Sequence, residues 1–134
     1  MTKQEVKDEA KNAEQDPQLK AKMRQMMMDM NARMMTGETK RATVVITNPV
    51  FIAIAIRYDR GVDEAPVVVA KGKRLIAEEI RDIAKENDIP IVEDKPLARA
   101  MYDGIEPGVE LPIEFFSAVA EILAYVFSLK NERQ

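Results

Sequence analysis

Asn48-Pro49 offers the most specific covalent chemistry in the chain. An asparagine side-chain amide nitrogen can attack its own carbonyl carbon. A five-membered succinimide closes and the peptide bond beyond it breaks. Proline has no backbone N–H, so the competing closure through the following nitrogen is removed. A tight turn would hold amide and carbonyl as an internal reacting pair. The same dipeptide also serves ordinary turns, where Asn bonds locally and Pro fixes φ. Taken alone, the dipeptide favours that plainer reading.

The other candidates are weaker. Glu78-Glu79 falls on a helix and reads as a solvated face. Glu93-Asp94 falls at a strand end, where a ligand site is conceivable. No neighbouring group marks either pair as acid, base or metal ligand. Lys71-Gly72-Lys73 invites comparison with a phosphate loop, but one glycine lacks the required spacing, and a strand-to-helix turn accounts for Gly72.

The composition closes several routes. There is no Cys and no His. Disulfides, thiolate nucleophiles and Cys-ligated metals are excluded, as are Ser-His-Asp and Cys-His catalysis. No metal and no cofactor is expected. The net charge is −3, and the few aromatics do not alternate with basic residues. A nucleic-acid partner is therefore not expected. Residues 1–41 are slightly basic, with nine Lys or Arg against seven acids, whereas residues 42–134 carry eleven against sixteen. No stretch is long and apolar enough for a membrane-spanning helix, and the N-terminus lacks a signal-peptide core. The chain is expected to be soluble and intracellular, or to be cut from a membrane protein.

The elements that would position the Asn-Pro step are legible in the pattern. Asp16 caps and Pro17 opens a helix. Along it Leu19, Met23, Met26, Met27, Met30 and Met34 recur at helical spacing. Methionine is adaptable, so this stripe suits either a variable partner or its own domain. Disorder is expected before Pro17, and Thr36–Thr39 ends the helix. Thr43–Thr47 and Phe51–Tyr58 read as antiparallel strands flanking the Asn-Pro turn. Val67–Ala70, uninterrupted by polar residues, reads as a third, central strand. Lys73–Asn87 follows as an amphipathic helix. Ile89–Val92 is a short strand, and strand-helix-strand order implies a parallel crossover. Lys95–Tyr102 is a short helix with Pro96 in its first turn. A last helix from Pro112 to about Leu129 precedes a frayed end. The expected fold is α/β: a small four-stranded mixed sheet surrounded by helices, preceded by a helical linker. Residues 1–41 form the linker and residues 42–134 the domain.

Lys3–Glu9 and Asp16-Pro17, Val44–Pro49, Ala65–Gly72, Ile89–Glu93, Pro96–Ala100 and Ala118–Val126 form a series of ordered motifs. Together they resemble the cytoplasmic domains of the FlhB/YscU family of type III export-gate proteins. The resemblance implies an absent amino-terminal transmembrane part joined through residues 1–41. It implies a domain at the cytoplasmic face of the bacterial inner membrane. There it would help switch secretion from rod and hook to filament substrates. Its partners would be export-gate proteins, exported substrates and a hook-length control protein. It also implies self-cleavage between Asn48 and Pro49 within an Asn-Pro-Thr-His motif.

This chain departs from the motif at Val50 and Phe51. Val50 lacks a hydroxyl, and Phe51 cannot assist proton transfer as the family histidine is thought to do. Cleavage is expected to be slow or absent; active cleavage through Asn48 without histidine is the alternative. Asp63, Glu64, Lys71, Lys73, Arg74 and Arg99 are candidate partner contacts. Leu97 and Tyr102 either pack the short helix or join that surface, with packing favoured for Leu97.

Overall fold

A computed structural model describes residue 2 and residues 16–133. The disorder expected before Pro17 falls largely outside the described residues. The chain divides into two units, Met1–Arg33 and Met34–Gln134. Helix α1 spans Pro17–Gly37. Asp16 caps it: its Oδ1 accepts from the Gln18 and Leu19 backbone N–H groups at 2.9 and 3.4 Å. In the first unit, Met23, Met26, Met27, Met28 and Met30 are all exposed.

The second unit opens with the last turn of α1, which ends at Gly37, within the Thr36–Thr39 stretch read as its end, and a 3-10 turn at Glu38–Arg41 follows. Strands β1 (Val44–Asn48), β2 (Ile52–Arg57) and β3 (Val67–Lys73) follow, then α2 (Leu75–Glu86), β4 (Ile91–Glu93) and α3 (Lys95–Tyr102). A 3-10 turn at Ile113–Phe115 leads into α4 (Phe116–Arg133). The sheet order is β3-β2-β1-β4. β1 pairs antiparallel with β2 and parallel with β4; β2 pairs antiparallel with β3. The mixed four-stranded sheet therefore agrees with the sequence reading.

Side chains alternate across the pleat, and both faces are covered. Val44, Ile46, Ile54, Ile56 and Val68 share one buried cluster with Ala98 and Met101 of α3 and with Val119, Leu123 and Val126 of α4. Val45, Ala53, Ala55, Val69 and Ala70 share the other with Ala77, Ile80 and Ala84 of α2. The α2 face is built from small residues, so the helix sits close to the strands. Gly72 belongs to this face and pairs with Ala53 inside β3. It does not break the strand, contrary to the sequence reading. A Cβ at Gly72 would lie 2.6 Å from Ile76 Cβ, so glycine here admits a helix against the sheet.

Three further expectations are corrected. β3 lies at the sheet edge, not in its centre. Its apolar run reflects cover on both faces. Part of its outer edge is satisfied by a loop: Val68 N–H donates to Val109 O (3.1 Å), and Val68 O accepts from Gly108 N–H (2.7 Å). The parallel neighbour of β4 is β1, so the α2 connection crosses the sheet from one edge to the other. The final helix also continues past Leu129 to Arg133. Leu129 itself is half-buried.

Candidate functional site

The Asn-Pro step occupies the connection between the two central strands. Asn48 ends β1 and pairs with Ile52, which begins β2. Its carbonyl oxygen accepts a hydrogen bond from Phe51 N–H at 3.1 Å. Pro49 takes the second turn position and Val50 the third, with φ +73°. Proline followed by a positive φ is the type II pattern, normally completed by glycine or asparagine. A β-branched residue there costs of order 1–3 kcal/mol. The turn is held because the strands on either side are anchored in the core.

Asn48 is only 4 % exposed, whereas Val50 and Phe51 are 64 % and 58 % exposed. Among the described residues, the Asn48 side-chain amide makes no hydrogen bond. Its nitrogen is therefore not tied to another acceptor. The Phe51 N–H polarises the carbonyl carbon that this nitrogen would attack, in the manner of an oxyanion donor. The turn thus sets the side chain of a largely buried asparagine beside its own hydrogen-bonded carbonyl. Phe51 offers an aromatic ring where proton transfer would need an acid or base.

A cavity of about 300 Å³ adjoins the turn, lined by Asn48, Phe51, Ile52, Lys73, Arg74 and Arg99. These cations come from three places: the end of β3, the residue entering α2, and α3. Arg74 N–H donates to Phe51 O at 3.1 Å, extending the β2–β3 pairing to the turn. Lys73 Nζ sits 4.6 Å from the centroid of the Tyr102 ring.

The remaining predicted contacts lie elsewhere or are engaged internally. Lys71 Nζ donates to Tyr102 O at 2.8 Å and lies 4.5 Å from the ring centroid. Burial, then the nearby Asp103 charge, raises the Tyr102 hydroxyl pKa above its ordinary value. Leu97 packs against the core of the α3–α4 face. Asp94 caps α3, its Oδ1 accepting from Leu97 N–H at 3.1 Å. This gives Asp94 a structural role that its pairing with Glu93 in the sequence did not suggest. Glu64 borders a separate groove of about 360 Å³, with Tyr58, Pro66, Phe116, Leu123 and Phe127. The sequence reading missed this groove. Its walls come from residues 58–66 and from α4, which lie far apart in the sequence.

Asp63 forms a two-pronged ion pair with Arg57: Arg57 Nε and Nη2 donate at 3.0 and 2.9 Å. Asp59 N–H also donates to Asp63, at 2.8 Å. The Arg57 hydrogen bond, reinforced by the backbone one, holds the Asp63 carboxyl below its ordinary pKa. The same bond raises the Arg57 pKa. A depressed folded-state pKa adds stability above the unfolded value of about 3.9. That contribution is lost as pH falls through the lower folded value. Asp63→Asn is expected to cost about 1–2 kcal/mol at neutral pH. The difference from the parent should shrink in acid denaturant melts below about pH 3.9. An unchanged difference across that range would remove the ion pair as its cause.

Comparison with known proteins decides what kind of chain carries this turn. The family model described as the FlhB HrpN YscU SpaS family matches residues 1–126. The chain belongs to the FlhB/YscU family. It is 48 % identical over 132 residues to the flagellar biosynthetic protein FlhB of Bacillus subtilis, covering 98 % of this chain and 37 % of the relative. It is 42 % identical over 133 residues to FlhB of Escherichia coli, covering 99 % and 35 %. The chain thus spans little more than a third of these FlhB relatives.

The cytoplasmic domain of FlhB from Shewanella putrefaciens superposes with a TM-score of 0.71 at 40 % identity, covering 76 % of this chain and 78 % of that one. A mutated EscU C-terminal domain superposes with a TM-score of 0.65 at 35 % identity, covering 69 % and 92 %. The mixed sheet with its helices is therefore the fold of the FlhB cytoplasmic domain and the EscU C-terminal domain. Among the described residues, no helix is long and apolar enough to cross a membrane.

Proposed function

We propose that this chain is the cytoplasmic export-switch domain of a type III protein-export gate, with autocleavage at Asn48-Pro49 slow or absent. The observation that carries this reading is the position of the Asn-Pro step. In a chain of this family, it lies in an exposed turn between the two central strands, with the Asn48 carbonyl already hydrogen-bonded by Phe51 N–H. Residues 1–41 serve as the linker to a membrane-embedded part, which places the domain at the cytoplasmic face of the inner membrane. The domain contacts export-gate proteins, a hook-length control protein and rod, hook or filament substrates. Those contacts use its surface loops, including the basic rim of the turn and the groove bordered by Glu64.

In the cleavage step, Asn48 Nδ2 loses a proton as it bonds to the Asn48 carbonyl carbon. The bond to Pro49 nitrogen breaks, and that nitrogen takes up a proton as a secondary amine. Water then opens the succinimide. Phe51 can neither remove the first proton nor deliver the second. Immobilised domain is expected to retain export-apparatus subunits from a flagellated cell extract. Arg74→Glu with Arg99→Glu should reduce that retention without changing the melting temperature. Equal retention by the variant would remove the basic rim as a contact, and absence of retention by the parent would overturn the export reading.

A further inference from the structure

The cavity beside the Asn48–Phe51 turn concentrates positive charge in a region that is otherwise acidic. Lys73, Arg74 and Arg99 line it without any acidic residue. Among the described residues, none of the three forms an ion pair. Residues 42–134 carry five more acids than bases, so the cluster runs against the local balance.

We propose that this cavity is a carboxylate site, and that its occupant is an extended acidic peptide segment of a protein partner. Arginine guanidinium groups present planar forks that match carboxylates in two-point contacts. The backbone of Arg74 is fixed on both sides. Its N–H donates to Phe51 O at 3.1 Å, and its carbonyl accepts from Glu78 N–H at 2.9 Å. Its φ of +54° with ψ of −114° is a conformation that non-glycine residues adopt only when the surroundings enforce it. Such a scaffold fixes where the side chain leaves the backbone, while its rotamer freedom is still lost on binding.

The apolar surroundings favour a peptide over a free anion. A second depression, of about 390 Å³, shares Phe51 and Arg74 with the first and adds Val50, Leu75, Glu78 and Arg81. Val50, Phe51 and Leu75 are all exposed. A peptide crossing the Phe51 ring would place a carboxylate among Lys73, Arg74 and Arg99. A bulky apolar side chain would then rest on Val50 and Leu75. The chemistry recognised is therefore an acidic residue beside a large apolar one. The assignment adds a ligand class to the proposed partner surface, while its charge argument stands independently of the export role.

The test is a calorimetric and amide-NMR titration of the full chain with three probes: an end-blocked peptide of alternating Glu and Leu, the same peptide with Gln for Glu, and inorganic phosphate. The Glu peptide should bind, with amide shifts centred on Phe51, Arg74 and Arg99, and should weaken as salt rises. The Gln peptide should bind at least about tenfold more weakly, as expected for loss of charge-assisted hydrogen bonds. Arg74→Gln and Lys73→Gln/Arg99→Gln should each weaken the Glu peptide by about tenfold. Both variants should melt with the parent; if Arg74→Gln alone melts early, the Lys73/Arg99 pair decides. Equal binding of both peptides, no binding, or insensitivity to these substitutions would overturn the proposal. Phosphate bound as tightly as the Glu peptide would overturn the peptide assignment. A failed subunit retention assay leaves this result unaffected, so the two readings fail separately.

Discussion

Phe51→His, combined with Val50→Thr, is expected to accelerate cleavage between Asn48 and Pro49 by about 10²–10⁴-fold, the usual range for a positioned general acid or base. Intact-mass spectrometry over prolonged incubation would follow two fragments, one ending at Asn48 and one beginning at Pro49. The expectation rests on what the turn already contains. The amide belongs to a residue that is only 4 % exposed and borders the cavity. The carbonyl is polarised by a fixed N–H at 3.1 Å. The missing component is a group that can move protons, and position 51 is exposed enough to accept an imidazole without repacking the core. Asn48→Ala in the same background should abolish both fragments. If the histidine variant cleaves no faster than the parent, proton transfer is not what limits this turn. If the parent itself cleaves readily at mildly alkaline pH, the impaired reading is wrong.

Gly72→Ala is expected to destabilise the second unit by about 3 kcal/mol, at the upper end of overpacking costs. For a domain of this size that corresponds to a fall in melting temperature of roughly 10–20 °C. The added methyl would sit 2.6 Å from Ile76 Cβ and 3.2 Å from the Ile76 backbone carbon. Neither neighbour is the free end of a flexible chain. Relief requires moving α2 away from β3, which would open the cluster of Ala53, Ala55, Ala70, Ala77 and Ala84. Ile76→Ala in the same background should recover part of the loss, a coupling that separate sites would not show. Circular-dichroism melts of the two single variants and the double variant measure it. Simple additivity would mean that the Gly72–Ile76 contact is not the source of the cost.

Gly72 also shows where reading the sequence runs short. One glycine between two lysines looks like local punctuation, because its nearest neighbours in the chain are all that a sequence displays. Its actual constraint comes from a helix lying across the sheet. The edge position of β3 was hidden for a related reason: an apolar run reports cover on the two faces and says nothing about the number of strand neighbours. By contrast, the Asp16-Pro17 cap and the β1–β2 hairpin were legible, since both are set by residues adjacent in the chain. So was the placement of Asn48-Pro49 in the turn between the first two strands. The convergence of Lys73, Arg74 and Arg99 on that turn was not legible. They belong to two separate parts of the chain, and only the β2–β3 register and the placement of α3 bring them to one cavity.

The pairing of β1 on both sides has a consequence for any chain that is cut after Asn48. The upstream piece would end in a strand held antiparallel to β2 and parallel to β4. Val44, Val45 and Ile46 would remain fully buried, on opposite faces of the sheet. A single fold would become a two-chain complex. Its melting temperature would then depend on protein concentration, because unfolding would release two molecules instead of one. Dilution, to which the uncut chain is indifferent, would become a force separating the linker piece from the rest.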